Sequence, residues 1–506
     1  VALCLIAVAG ADAAAVRLPS IFSDHMVLQA GAPDPIWGWA EPGQVVTVEL
    51  NGQTSQATAN SEGKWHLTLG PLLPGGPFQL NVKADQQRQI NDVMVGEVWI
   101  GAGQSNMGFP FKMDFFPYLK VKDYEKEKAA ANYPGIRMFI VETAGVQVKA
   151  QEDCRGAWHV TTPDAVDPFS AELFFFGREL HRTLGVPVGL IKAAVGGTPI
   201  ELWIDEPVQR ANQAAAACLQ LEAKELDGAD RAQQENVYRA TLAEWEKAQA
   251  SGGKATRKPN DPNAITKRNN TYGGLFNSKI APLIPYGIAG VVWHQGENNA
   301  GSKSHAPYYG AQLELLVTDW RRRWGRDFPF AWVQLANFAT GGGDYPRVRE
   351  GMRQALRLPN TGMAVTIDIG EAHNIHFIDK QDVGHRLAQW ALGTVYGKPV
   401  ATSGPLPAAG GPRGDHYVVA FSHTDGGLRA RAGPLQGFEA AGSDGRWHAA
   451  QARIAGSTVG VYAAEVPAPL QVRYAWAANP ACNLYNGAGL PATPFATDSN
   501  LPPLPQ

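Results

Sequence analysis

Between residues 93 and 398 short apolar runs, largely β-branched, alternate with helix-like stretches. The runs occupy 95–100, 188–193, 288–293, 330–335 and 363–367. They are apolar at successive positions, as strands buried on both faces are. Helical stretches near 170–184, 308–324, 346–357 and 380–396 lie between or after them. This alternation predicts an α/β fold with a five-stranded parallel sheet covered by helices. Such sheets carry their chemistry at the carboxyl ends of the strands.

The flanks have a different texture. Within 16–92, Pro35-Ile36-Trp37-Gly38-Trp39 leads to the turn Glu41-Pro42-Gly43, and a strand-like run over 45–50 ends at Asn51-Gly52. This predicts an N-terminal β-domain of sandwich type. Residues 399–506 return to strands and Pro/Gly turns, a C-terminal β-domain. Residues 206–268 are rich in Ala, Glu and Gln, and read as a helical insertion in the 93–398 domain.

Residues 1–15 are apolar, then Ala-rich. They read as the remnant of a signal peptide, which predicts export to the periplasm or beyond. The run is too short to span a bilayer, and no other stretch is apolar enough. The formal net charge is -3 without a charged block, so neither nucleic acid nor membrane insertion is expected. Removal of Cys4 would leave Cys154, Cys218 and Cys482, enough for one internal disulfide at most and without zinc-site spacing. No metal or cofactor is expected, and the oligomeric state stays open.

Several strand ends carry reactive or polar residues. The first run leads into Gly101-Ala102-Gly103-Gln104-Ser105-Asn106-Met107, where Ser105 can present its hydroxyl and its own N–H above the sheet. Met107 occupies the last glycine position of the Gly-x-Ser-x-Gly elbow, so this is a different turn. The second run ends in Gly196-Gly197, which lets backbone approach a ligand closely. The third ends in Trp293-His294-Gln295-Gly296-Glu297-Asn298. There Gln295 can offer an amide N–H, and Glu297 and Asn298 can orient neighbours or substrate. His376 follows the last run and precedes a helix, so it can reach the serine and take its proton. His294, His373 and His385 rank below it. Trp203, Trp293 and Trp332 lie near strand ends, where core packing competes with stacking on a sugar.

Together these motifs resemble the SGNH hydrolases, and specifically the sialate O-acetylesterase-like proteins, which include bacterial hemicellulose acetylesterases. The resemblance runs from Phe22-Ser23-Asp24-His25-Met26-Val27-Leu28-Gln29 through Gly103-Gln104-Ser105-Asn106-Met107 and Gly196-Gly197-Thr198-Pro199 to Asn479-Pro480-Ala481-Cys482-Asn483. It implies a three-layer α/β/α domain, release of acetate from O-acetylated sugars, Ser105 as nucleophile and His376 as base. The oxyanion donors it implies are the N–H of Ser105, one of Gly196 or Gly197, and the side chain of Gln295.

The superfamily's acid is missing from its usual place, because His373 and Asn374 stand there. Asn374 or a backbone carbonyl can orient His376 instead, or a carboxylate from Glu297, Asp368 or Glu371. Two other classes stay open: a carbohydrate-binding protein without hydrolysis, and a glycoside hydrolase, which needs two facing carboxylates. The sugar itself is open between sialic acid, whose carboxylate would want Arg349 or Arg353, and plant polysaccharide such as xyloglucan or xylan.

Overall fold

The computed structural model describes residues 16–498, apart from 114–118, 143–144, 228–229, 252–258, 260–270 and 340–341. The signal-like segment 1–15 and most of 252–268 therefore lie outside the described residues.

The central sheet has the strand order Thr361–Val365, Phe330–Gln334, Gly290–His294, Gln87–Gly103, Val188–Ala194, Tyr133–Ile140, Trp158–Thr161. All neighbours pair in parallel except Trp158–Thr161, which closes one edge antiparallel. The five apolar runs are all strands of this sheet, but Tyr133–Ile140 is a sixth parallel strand, so the five-stranded expectation is corrected. Pro134, Gly135 and Arg137 interrupt its apolar pattern. Arg137 is nevertheless tolerated because Asp92 pairs with it.

Successive strand residues feed two separate cores. Val98, Ile100, Val291, Trp293, Phe330 and Trp332 pack with Leu313, Leu316 and Trp320 of helix Tyr309–Trp324. Trp99, Val292, Ala331 and Val333 pack on the opposite face with Leu173, Phe174, Val383 and Leu387. These last four belong to helices Ala171–Leu184 and Lys380–Thr394. The sheet is thus the middle of three layers. Helix Ala171–Leu184 has defined ends: Ser170 accepts the Leu173 N–H at its start, and Gly185 adopts φ 70° after its end.

The Gln87–Gly103 strand serves two regions. Its first part pairs with Gly75–Lys83 and Val27–Gln29 of the N-terminal β-region, and its last part is the centre of the α/β sheet. Residues 92 and 93, where a domain boundary was expected, lie inside this single strand. In the insertion, helices Glu206–Ala211, Gln213–Asp227 and Asp230–Ala250 follow one another. The C-terminal region forms a separate seven-stranded antiparallel sheet with its own core around Val419, Phe438, Val461, Tyr474 and Phe495.

Arg349 ties that region to the α/β domain. It is fully buried, and its guanidinium donates to the carbonyls of Leu335, Ala336, Ala477 and Ala478 at 2.6–2.8 Å. Gln334 adds a bond to Thr493 at 2.8 Å.

Candidate active site

The Gln87–Gly103 strand lies where the sheet's connections change direction. Val188–Ala194 is added on one side of it and Gly290–His294 on the other. A crevice opens at the carboxyl end of a strand so placed. Gly103 makes the exit possible. It adopts φ 138°, and a Cβ there would stand 2.1 Å from the His294 carbonyl oxygen. That approach lets the Gln104 N–H donate to the same oxygen at 2.9 Å. Ser105 then opens the short helix Ser105–Gly108, part-exposed between buried neighbours.

The next strand brings Gly196 against it: a Cβ on Gly196 would lie 3.4 Å from the Ser105 Cβ. Gly196 and Gly197 are both exposed, with Gly197 at φ 66°. The exposed Asn298 donates its amide to the Gly197 carbonyl at 3.1 Å. Ser105, Gly196, Gly197 and Asn298 therefore share one surface.

His376 comes from the loop before helix Lys380–Thr394. Asn106 carries this loop to the serine, donating to the Ile375 carbonyl at 3.2 Å. Within the loop, the Asn374 side chain accepts the His376 N–H at 3.0 Å and donates to the His376 carbonyl at 3.0 Å. The His376 ring is half-buried beside Phe109, with centroids 6.3 Å apart. Burial lowers its pKa and the nearby Lys380 cation lowers it further, while Glu297 acts in the opposite sense.

A model of the carbohydrate esterase family described as sialic acid-specific acetylesterase matches residues 95–228 and 248–393. The chain belongs to this family. It is 30% identical to a sialate O-acetylesterase of Rattus norvegicus over 77% of this chain and 76% of that protein. With the Homo sapiens sialate O-acetylesterase the identity is 28%, over 77% of this chain and 73% of that one. The crystal structure of a carbohydrate acetylesterase from Xanthomonas citri superposes with a TM-score of 0.80 at 34% identity, covering 96% of this chain and 100% of that one.

Several residues of this esterase sit elsewhere than their motifs imply. Gln295 is fully buried, and its amide nitrogen already donates to Asn299 Oδ1 (2.7 Å), Thr198 O (3.0 Å) and Gln104 Oε1 (3.2 Å). It braces three segments under the crevice, so the expectation that it faces an oxyanion is corrected. Trp293 is fully buried between Trp203 and Trp320. Trp203 and Trp332 are fully buried too, so none of the three offers a face to a sugar.

The candidate acids separate clearly. Asp368 is held by Arg386 at 2.6 and 2.9 Å and by Tyr485 at 3.1 Å. Glu371 accepts the Ile378 N–H at 2.9 Å and the Asn374 amide at 3.0 Å. Asn374 therefore orients the backbone of His376. Glu297 accepts from Asn106 through Oε1 at 2.5 Å, and its buried Oε2 has no hydrogen-bond partner among the described residues. Of the remaining histidines, His385 pairs with Glu179, and His373 is exposed. Cys154, Cys218 and Cys482 are free.

Sequence reasoning missed Glu172 and Lys380, both fully buried, Lys380 donating to Asn106, the residue after Ser105. A signal existed for the first: Glu172 is the acid in the apolar stretch Ala-Glu-Leu-Phe-Phe-Phe-Gly. Lys380 looked like an ordinary cation at a helix start.

Proposed function

We propose that this esterase releases acetate from O-acetylated sugars through an acyl-enzyme on Ser105. The observation that carries the reading is the convergence of Ser105, the exposed Gly196–Gly197 backbone and the His376 loop at the carboxyl end of the central strand. Ser105 Oγ attacks the acetyl carbonyl and His376 accepts its proton. The N–H groups of Ser105 and Gly196 and the Asn298 amide bind the oxyanion; one such donor is worth about 10²–10³ in kcat. As the intermediate collapses, the bond to the sugar oxygen breaks and His376 returns the proton to that oxygen. Water, deprotonated by His376, then attacks the acyl-serine; the acyl bond to Ser105 Oγ breaks, His376 returns the proton to Oγ, and acetate leaves. Glu297 supplies the negative charge that favours the imidazolium, in place of an acid beside His376 in sequence.

The substrate reading favours a neutral polysaccharide such as xyloglucan or xylan. Arg349 is spent on four carbonyls and Arg353 on Glu350, so neither arginine considered for a sialate carboxylate is available. The apolar segment 1–15 supports export.

The test is acetate release from an aryl acetate, 9-O-acetylated sialic acid, acetylated xyloglucan and acetylated xylan, with wild type and Ser105→Ala. Release by wild type alone supports the acyl-enzyme, and the best panel member names the sugar. No release from any panel member sinks the catalytic reading. Sugar release without acetate would make the chain a glycoside hydrolase.

A further inference from the structure

Five buried side chains, among them Asn106, which follows Ser105 in the chain, close a ring. Glu172 meets His294 Nδ1 through both oxygens, at 2.9 and 3.0 Å. His294 Nε2 stands 3.6 Å from Glu297 Oε1, an ion-pair distance. Glu297 accepts from Asn106 Nδ2 at 2.5 Å. Asn106 Oδ1 accepts from Lys380 Nζ at 2.7 Å. Lys380 Nζ returns to Glu172 Oε2 at 3.9 Å. Each of the five is at most 8% exposed, so their charges are weakly screened.

The ring joins four parts of the fold: the short helix Ser105–Gly108 after the central strand (Asn106), the start of helix Ala171–Leu184 (Glu172), the end of strand Gly290–His294 with the short helix Glu297–Ala300 that follows it (His294, Glu297), and the start of helix Lys380–Thr394 (Lys380). Whichever nitrogen of His294 carries a proton faces a carboxylate. Two carboxylates buried this close require a cation, and Lys380 is placed to serve, its ammonium also lying over the Phe377 ring at 3.9 Å.

We propose that Lys380, Glu172 and His294 are positioning residues of the esterase: their ring fixes Asn106 and Glu297 against the His376 loop and so holds the His376 ring where it can accept the serine proton. Its catalytic meaning rests on the function proposed above.

The groups acting on His376 are Lys380, from the helix after it, and Glu297, from the short helix after strand Gly290–His294; they push in opposite directions. Burial lowers the Lys380 pKa to about 8, against Glu172, Glu297, Glu371 and Asp379, which all favour its charge. Two variants with opposite signatures follow. Lys380→Met removes the cation that holds His376 down, so the His376 midpoint rises. Glu172→Gln removes a partner of Lys380, so Lys380 loses its proton at lower pH.

The test combines NMR titration of the His376 ring, assigned with His376→Gln, with kcat and KM for an aryl acetate between pH 5 and 9. In Lys380→Met the midpoint moves up, and kcat falls about 10- to 100-fold while KM changes little. Loss of the Lys380 proton near pH 8 leaves the buried carboxylates of the ring without their cation and loosens it, which sets an alkaline limb of kcat; in Glu172→Gln that limb moves to lower pH. An unchanged midpoint in Lys380→Met overturns the proposal. So does an unmoved alkaline limb in Glu172→Gln, which decides the matter if Lys380→Met does not fold. The titration needs no turnover, so wild type inactive toward every ester would refute the function while the titration still judged the ring.

Discussion

Asn106 Nδ2 donates to Ile375 O at 3.2 Å, so the residue after the proposed nucleophile grips the residue before the proposed base across 269 positions of sequence. The same amide nitrogen bonds Glu297, and the amide oxygen bonds Lys380. Asn106→Ala therefore releases the His376 loop and leaves two buried charges short of a partner. We expect kcat for an aryl acetate to fall about 100-fold with a much smaller change in KM. A loss confined to KM would show that Asn106 acts on substrate binding instead.

Asn374 occupies a position close to where the superfamily keeps its acid, yet restoring a carboxylate there should not help. Asn374 donates to Glu371 and to the His376 carbonyl. Asp cannot donate, and it would face the Glu371 carboxylate. Asn374→Asp should thus lower kcat and cost about 1–3 kcal/mol in stability by urea denaturation. Increased kcat would place the orienting acid at 374 after all.

His376 has a pKa below its ordinary 6.5, through burial first and Lys380 second. A base must be neutral, so kcat/KM should climb through a midpoint below 6.5 and level off toward neutral pH. The stability sign follows from the same shift. Between the folded value and 6.5 the unfolded chain binds more protons, so the contribution present above 6.5 is lost as pH falls through the folded value. On acidification from pH 7.5 to 5, wild type should lose more stability than His376→Gln, measured by urea midpoints.

Asn298 and Gln295 should separate by kind of damage. Asn298 is exposed beside Gly197, so Asn298→Ala should cut kcat about 10²-fold or more with little change in unfolding. Gln295 is an internal brace, so Gln295→Ala should lower the melting temperature. If Asn298→Ala leaves kcat untouched, the oxyanion is bound elsewhere.

Arg349 is a staple between the C-terminal sheet and the Phe330–Gln334 strand end. Arg349→Met keeps much of the bulk and strands four buried carbonyls, at a cost of about 3 kcal/mol or more. Urea denaturation of the variant measures this loss directly. A loss below about 0.5 kcal/mol would show that other contacts carry the junction.

The sequence by itself determined the α/β alternation, five of the six parallel strands, and which strand ends bear Ser105, Gly196, Gly197 and His376. These are local properties: an apolar run or a glycine pair declares itself within a few residues. Tyr133–Ile140 escaped because Arg137 interrupts its apolar run, and the compensating Asp92 lies 45 positions away. Gln295 was misjudged because position after a strand does not reveal which way a side chain turns, and for the same reason Trp293 stayed open between core packing and sugar stacking. Gln295 turned inward to Thr198 and Gln104, and Trp293 to Trp203 and Trp320. Only the tertiary structure decided that Glu172, His294, Glu297, Asn106 and Lys380 meet, because buried charges are stable only where partners from other segments are brought to them, and chain order does not record those encounters.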